Sequence, residues 1–393
     1  MRQRFLLLSA SMGAGHDAVA GELAERLRSR GHTVRTEDVL ALLPSGVGAA
    51  LRAGYRGVVR RVPGLYGWVY AAFLAPGPER PERAPDGQRG PGGPELTGGV
   101  VVPRPGSAPL AALAERPLTA LVDRWQPDAV VSTFHLSAQV TGRLRERGTL
   151  RVPSVVTVVD FAVHRGWLHP GNDVYLCLTE EAARTAEAAT GGTAEATGPV
   201  VPARFAGAAE GGGDPGHWRA EFERLAPGRP VVLLSAGAWG VGSGLPGTAR
   251  ELAARGFCPV LLCGRDERLR RRASGLPGVV ALGWTEDVEH LMAAAHALVD
   301  NAAGQTAAQA LAAGLPVVGY RPLPGHGAAG LRAMTDAGVS ELARDRRELA
   351  LVLGRVTEPG PVRERRVALG RDLFRADAAR RITELTLAGV RAP

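Results

Sequence analysis

The densest grouping of ionisable side chains in this 393-residue chain is Asp160-Phe-Ala-Val-His164-Arg-Gly-Trp167-Leu-His169-Pro170. A carboxylate close to two imidazoles can serve as a base with tuning partners, because each neighbour changes its proton affinity and fixes its orientation. Asp160 and His164 also have the spacing of a metal-ligand pair, but no third and fourth ligands follow at suitable spacing. A second candidate is the turn Ser11-Met-Gly13-Ala-Gly15-His16. Its two glycines let a ligand approach the backbone, and a helix starting at or near Asp17 would offer unpaired amides to an anion or a developing oxyanion. His16 is expected to project from this turn toward a cleft. Read as Gly13-x-Gly15-x-x-Ala18 with Glu37 or Asp38 downstream, the turn also imitates a nicotinamide dinucleotide fingerprint. The plainest alternative is a turn that only joins strand to helix.

The second half of the chain repeats the glycine device in Gly237-Ala-Trp-Gly240-Val-Gly242-Ser-Gly244. Arg265, Trp284 and the run Asp300-Asn-Ala-Ala-Gly304-Gln305-Thr306-Ala-Ala-Gln309 follow short apolar stretches and would line the same edge. Glycine-rich turns entering helices suit a phosphate-bearing ligand held by backbone amides.

These groups need strands that end beneath them. Short apolar runs alternate with helical stretches, the pattern of parallel α/β construction. Strands are predicted over Phe5–Ser9, Thr33–Asp38, Ala129–Thr133, Ser154–Val159 and Val174–Leu178. After a Gly- and Ala-rich stretch they resume over Val231–Ser235, Pro259–Cys263, Val279–Leu282, Ala297–Asp300 and Pro316–Tyr320. Two open Rossmann-like sheets follow, with the ligand in the cleft between them. The expected domains are 1–205 and 217–393, joined by a linker over 206–216. Pro and Gly fill 17 of the 34 positions of Pro76–Pro109, predicting a disordered surface insert. Before it, Val47–Leu74 interleaves Arg52, Arg56, Arg60 and Arg61 with Leu51, Tyr55, Leu65, Tyr66, Trp68, Tyr70 and Phe73. Such a helix can lie in a membrane interface or simply cover a core with a solvated arginine face. Pro361–Leu387 reads as one long helix.

The chain contains no lysine, so all 47 basic residues are arginine. This excludes a P-loop phosphate lysine, a pyridoxal Schiff base and a kinase-type lysine. A net charge of +8 favours anionic partners without choosing among them. Cys177, Cys258 and Cys263 are too few and too irregularly spaced for a disulfide framework or zinc cluster and read as buried thiols. The apolar stretch at the N-terminus is too short to span a bilayer and lacks a cleavage pattern, which predicts a cytoplasmic protein.

Ser11–Leu27, Asp160–Asp173, Thr197-Gly-Pro-Val-Val-Pro-Ala-Arg204-Phe205 and Gly283–Gly338 together resemble the monogalactosyldiacylglycerol synthase family, related to the N-acetylglucosaminyltransferase that forms lipid II. The resemblance covers most of the chain outside the Pro76–Pro109 insert. It implies a GT-B fold and metal-independent, inverting transfer of a hexose from a UDP-sugar to a lipid or other hydroxyl acceptor, with a diacylglycerol-like acceptor favoured. It further implies no cofactor, no nucleic-acid partner, and peripheral attachment to an anionic surface, the inner face of the plasma membrane. Carried over by position, Asp160 resembles the general base, with His16 and His164 beside it. Gly13, Gly15 and Trp167 fall on the acceptor side, and Gly237, Arg265, Trp284, Gly304, Gln305, Thr306 and Gln309 on the donor side. Two positions depart from the family. Gln309 stands where a glutamate usually binds the ribose diol, and Pro324-Gly-His326-Gly327 and Gly330 replace amide residues that contact the sugar. A NAD-dependent oxidoreductase, or a degenerate transferase that binds nucleotide or lipid without turnover, are the alternative readings.

Overall fold

A computed structural model describes residues 2–61, 63–70, 74, 108–209, 216–238, 240–242 and 244–388. The Pro76–Pro109 insert, except its last two residues, lies outside them.

The first sheet is built from β1 (Arg4–Ser9), β2 (Thr33–Asp38), β3 (Ala129–Ser132), β4 (Ser154–Thr157), β5 (Val174–Cys177) and β6 (Thr193–Ala196). Its order is β2-β1-β3-β4-β5-β6, with every neighbouring pair parallel. The helices of this half are α1 (Ala14–Ser29), α2 (Val47–Arg61), α3 (Pro63–Val69), α4 (Ala108–Trp125), α5 (His135–Glu146) and α6 (Glu180–Thr190). A parallel sheet is covered on both faces, so its strands read as continuous apolar runs. In β1 Phe5 and Leu7 enter one buried cluster with α1, while Leu6 and Leu8 enter another with α4 and α5.

α7 (Arg204–Ala209) and α8 (Gly216–Leu225) lead to the second sheet, which contains β7 (Val231–Ser235), β8 (Cys258–Leu262), β9 (Val280–Leu282), β10 (Ala297–Asp300), β11 (Val317–Tyr320) and β12 (Ser340–Ala343). Its order is β12-β11-β10-β7-β8-β9, again parallel throughout. Around it pack α9 (Leu245–Ala254), α10 (Glu267–Ser274), α11 (Val288–Ala293), α12 (Gln305–Ala312), α13 (His326–Asp336) and α14 (Arg346–Thr357), followed by α15 (Pro361–Asp372) and α16 (Ala378–Leu387). All three cysteines are buried and unpaired, and burial pushes the Cys177 thiol up to about 12.

Three expectations are corrected. The pattern Pro361–Leu387 is two helices, interrupted between Asp372 and Ala378; Asp377 caps the second by accepting from the Ala379 and Arg380 amides. α16 then leaves the second domain: Ala378, Ala379, Ile382 and Leu385 are buried with Phe5, Leu7 and Leu23. Arg381 pairs with Glu195, and Arg30 with Asp377 at 2.6 Å. The first domain therefore owns the C-terminal helix as well as its N-terminal stretch. The expected linker begins inside α7, and Phe205 and Val201 are already part of the second domain's core. Val200 is still buried with Phe5 and Leu7, so the chain passes into the second domain between Val200 and Phe205, earlier than residue 206.

Candidate active site

The carboxyl ends of β1, β3 and β4 open on one side of the first sheet. α1 begins immediately after Gly13, three residues earlier than expected, so His16 sits in its first turn. His16 Nδ1 lies 3.0 Å from the Thr133 carbonyl oxygen, which can only accept. Nδ1 therefore carries the proton, and Nε2 keeps its lone pair. The edge of Phe134 packs against the ring at 4.9 Å. Burial lowers the His16 pKa, opposed by the charge of Asp160, the Thr133 carbonyl and Asp17. Neither nearby glycine is demanded by the backbone. Gly13 is extended, and a Cβ at Gly15 would meet nothing closer than Gln305 Cβ at 3.5 Å.

Asp160 follows β4 and is one-quarter exposed at its side chain. Its Oδ2 accepts from Trp167 Nε1 at 2.8 Å and lies 3.4 Å from His164 Nε2. His164 Nδ1 accepts from the Gly166 amide at 3.1 Å, so its proton is on Nε2, facing Asp160. Burial raises the Asp160 pKa, but the hydrogen bond and charge of His164, with His16 and His326, outweigh it and hold the carboxyl well below the usual range. The loop carrying these groups is anchored from α5, where Gln139 Nε2 donates to the carbonyls of Gly166 and Leu168.

Three residues not assigned to this centre from sequence also reach it. His135 begins α5, with its ring 5.3 Å from His164 and 6.2 Å from Trp167. Burial and the neighbouring His164 and His16 hold its pKa well below 6.5, and its Nδ1 is buried with no hydrogen-bond partner among the described residues. The rule that singled out Asp160, a polar side chain just beyond a strand's carboxyl end, would have found it. Tyr70 is buried with its ring 5.8 Å from His164. His326, at the start of α13 in the second domain, is electrostatically coupled to Asp160, His164 and His16 and has its pKa lowered mainly by burial.

Two first-domain residues take other roles than expected. Trp167 is fully buried, so it offers no face to an acceptor; its indole N–H instead holds Asp160. His169 turns away from the centre: its ring packs where a Cβ of Gly142 would stand, its Nδ1 accepts from the Gly171 amide, and its carbonyl accepts from Tyr175.

In the second domain, buried Asp300 accepts from the Ala302 and Ala303 amides, shaping the turn that leads through Gly304 into α12. No side chain caps α12 at Gly304, leaving its first amides available. Thr306 and Gln309 are partly exposed on this helix, one turn apart. Gln305, expected on the donor, spans the domains here, with its Nε2 donating to the Val200 carbonyl at 3.0 Å. The Arg265 guanidinium lies 4.4 Å from the ring centre of Trp284, whose side chain is half exposed. Gly237 needs its left-handed φ of 60° to turn the chain away from β7, and the Arg265 amide donates to the carbonyl of Ala238 in the same loop. Among the described residues, no group of three His, Cys, Asp or Glu side chains is arranged to hold a metal ion.

The model of the monogalactosyldiacylglycerol (MGDG) synthase family matches residues 106–201, a span that holds His135, Asp160, His164 and Trp167. The processive diacylglycerol beta-glucosyltransferase of Staphylococcus carnosus is 25% identical over 248 residues, covering 61% of each chain. The chain thus spans about three-fifths of the length of this curated relative. Among solved structures, Acinetobacter baumannii MurG superposes with a TM-score of 0.54 at 15% identity, over 99% of this chain and 100% of its own. Anabaena Alr3699/HepE in complex with UDP-glucose gives 0.52 at 13%, covering 98% and 99%. The resemblance read from the Asp160 loop is met by the family's own model over residues 106–201, and the two parallel sheets form the GT-B fold seen in these glycosyltransferase structures.

Proposed function

We propose that this chain is a metal-independent, inverting hexosyltransferase that moves a sugar from a UDP-sugar to the hydroxyl of a diacylglycerol-like lipid. The observation that carries this reading is the convergence of two unlike half-sites on one cleft. His16 and Asp160 stand on the first domain, while the uncapped start of α12 approaches from the second, tied across by Gln305 and the Val200 carbonyl. The acceptor named for the Staphylococcus carnosus relative and the UDP-glucose held by the Anabaena protein supply the substrate classes.

In this mechanism His16 Nε2 takes the acceptor proton as the hydroxyl oxygen attacks the anomeric carbon. Asp160 stays anionic and stabilises the resulting imidazolium. This reverses the order of roles expected by position, because the hydrogen bonds that depress Asp160 make it a poor proton acceptor. General-base assistance of this kind contributes about 10²–10⁴-fold in rate. The amides of α12 and Arg265 receive the departing diphosphate, with the helix terminus adding about 0.3–2 kcal/mol. Thr306 and Gln309 complete the nucleotide site. A single displacement inverts the anomeric centre.

The lipid is reached from α2 and α3, whose Leu65 and Trp68 side chains are exposed beside the cleft, with Arg52 and Arg56 on the preceding helix. Among the described residues no helix is long and apolar enough to cross a membrane, and attachment through this segment to the anionic inner face of the plasma membrane supplies access without a span.

Titration calorimetry with UDP, with NAD as control, tests the reading, followed by a UDP-sugar panel on diacylglycerol-containing anionic vesicles. Saturable UDP binding without added metal and turnover on vesicles are expected. Preference for NAD would replace it with the oxidoreductase, and UDP binding without turnover of any sugar would leave a degenerate transferase.

A further inference from the structure

Tyr70 and Leu74, following α3, lie against the catalytic loop, and α3 lies against the second domain. Tyr70 is 5% exposed and meets His164 edge-on, with the rings 5.8 Å apart and 80° between their planes. Four residues on, the Leu74 carbonyl accepts from the Arg165 amide at 2.9 Å, and its side chain packs at Gly166, where a Cβ would lie 3.0 Å from Leu74 Cδ2 and 2.9 Å from His164 Cε1. Tyr70 and Leu74 therefore cover the imidazole itself and Gly166, whose amide fixes it. In α3 itself, a Cβ on Gly67 would stand only 2.6 Å from Pro324 Cβ, so α3 is seated directly on the turn that carries His326.

We propose that Tyr70 is a positioning residue for His164, and through it for Asp160, and that seating of α3 on the Pro324 turn of the second domain sets this position. The inference deepens the transferase reading and rests on it for its effect on turnover. His164 is buried, and its Nδ1 is already satisfied by the Gly166 amide. What decides whether its Nε2 proton points at Asp160 is the orientation of the ring, and Tyr70 is an aromatic side chain packed against that ring from outside the loop. Edge-to-face contacts of this kind add a geometric preference beyond the burial of the two rings. Tyr70 acts through its ring: burial first, then the charge of Asp160, push its hydroxyl up to about 12 against the opposing effect of Arg332, so it stays neutral at working pH. The contact with Pro324 makes the arrangement depend on the second domain, joining assembly of the proton-handling centre to the approach of the donor half.

The test reads the tautomer of His164 by imidazole nitrogen NMR and, separately, kcat and UDP affinity. In the wild type His164 is expected as a single Nε2–H tautomer. Tyr70→Ala is expected to mix the tautomers and lower kcat about 10–100-fold, since misplacement of a catalytic group by about 1 Å costs up to 10²-fold, with UDP affinity unchanged. Tyr70→Phe keeps the ring and should restore both readouts to within about threefold. Gly67→Val touches nothing at the centre but collides with Pro324, and should reproduce the tautomer mixing; Gly64→Ala, where a Cβ meets no atom within 4 Å, should leave the tautomer unmoved. An unmixed tautomer with unchanged kcat in Tyr70→Ala, or a Phe variant as impaired as the Ala variant, would overturn the proposal. If Tyr70→Ala does not fold, Gly67→Val decides: an unmixed tautomer there overturns the coupling. Absence of turnover by the wild type with every UDP-sugar would sink the transferase reading while the tautomer measurement still judges Tyr70.

Discussion

The two sheets end in opposite kinds of surface. At the carboxyl ends of the first stand side chains that can move protons or orient them: His16, His135, Asp160 and His164, packed among Phe134 and Trp167. At the corresponding ends of the second stand the turns around Gly237, Gly244 and Gly304, backbone amides at the start of α12, and the guanidinium groups of Arg265, over an indole, and Arg321, against the Gly244 turn; His326 is the one imidazole that this half lends to the first. On the proposed mechanism the same parallel architecture serves two chemistries. One half places titratable groups in low-dielectric surroundings where neighbours set their protonation. The other keeps side chains small so that an anion can reach the main chain. The difference teaches that, if the cleft works as proposed, proton transfer and anion binding are separable, and variants can be chosen to strike one alone.

The largest effect is expected at the proton-handling half. His16→Ala and Asp160→Asn should each lower turnover by about 10²–10⁴-fold while UDP affinity in calorimetry stays at the wild-type value. A matching loss of UDP binding would erase the distinction between the halves. The acid limb of the rate should also fall below the ordinary histidine value of 6.5, because burial lowers the His16 pKa and the lone pair on Nε2 is lost only as pH drops through that lowered value.

A smaller change is expected at the anion-binding half. Gln309→Glu replaces a neutral acceptor with a charged one toward the ribose hydroxyls, and charge-assisted hydrogen bonds are about twice as strong as neutral ones. UDP should bind about 3–10-fold more tightly, with kcat changed less than Kd. Unaltered affinity would mean that Gln309 does not face the ribose.

The smallest effect concerns stability. His16, His135 and His326 all have folded-state pKa values below 6.5, because burial favours their neutral forms. Above 6.5 neither the folded nor the unfolded chain holds the extra protons, so these groups impose no penalty. Below 6.5 the unfolded chain takes them up first, so stability falls with pH until the lowered folded values are passed. Thermal melts across this window should show a decline in Tm that is shallower in His135→Phe; an equally steep decline would remove His135 from the account.

Much of this arrangement was legible in residue order, for reasons that also explain where legibility stopped. Interior strands such as Val231–Ser235 are buried on both faces and announce themselves as apolar runs. β6 and β12 each lie at one edge of their sheets, and Thr-Ala-Glu-Ala and Ser-Glu-Leu-Ala carry too few β-branched or aromatic residues to stand out. Asp160 and His16 could be proposed because both lie within a few residues of a strand's carboxyl end, Asp160 three past β4 and His16 in the first turn of the helix that follows β1. Tyr70 and His326 were not visible as partners, since their closeness to Asp160 depends on how α3 and α13 pack across the cleft. Trp167 was misjudged because sequence shows that an indole is near the site without showing which way it faces.

The return of α16 to the first domain gives the molecule two strands of chain between its halves, one just after Gly198 and one through the stretch after Leu373. They touch: a Cβ on Gly198, held at φ +73°, would fall 1.6 Å from the Leu373 carbonyl oxygen. Two tethers crossing at one place act as a pin joint, permitting the halves to swing about that point while resisting slip or separation. The same crossing means that the first half is not a self-sufficient folding unit. A gene fragment ending before Ala378 would leave Phe5, Leu7 and Leu23 without the helix that covers them.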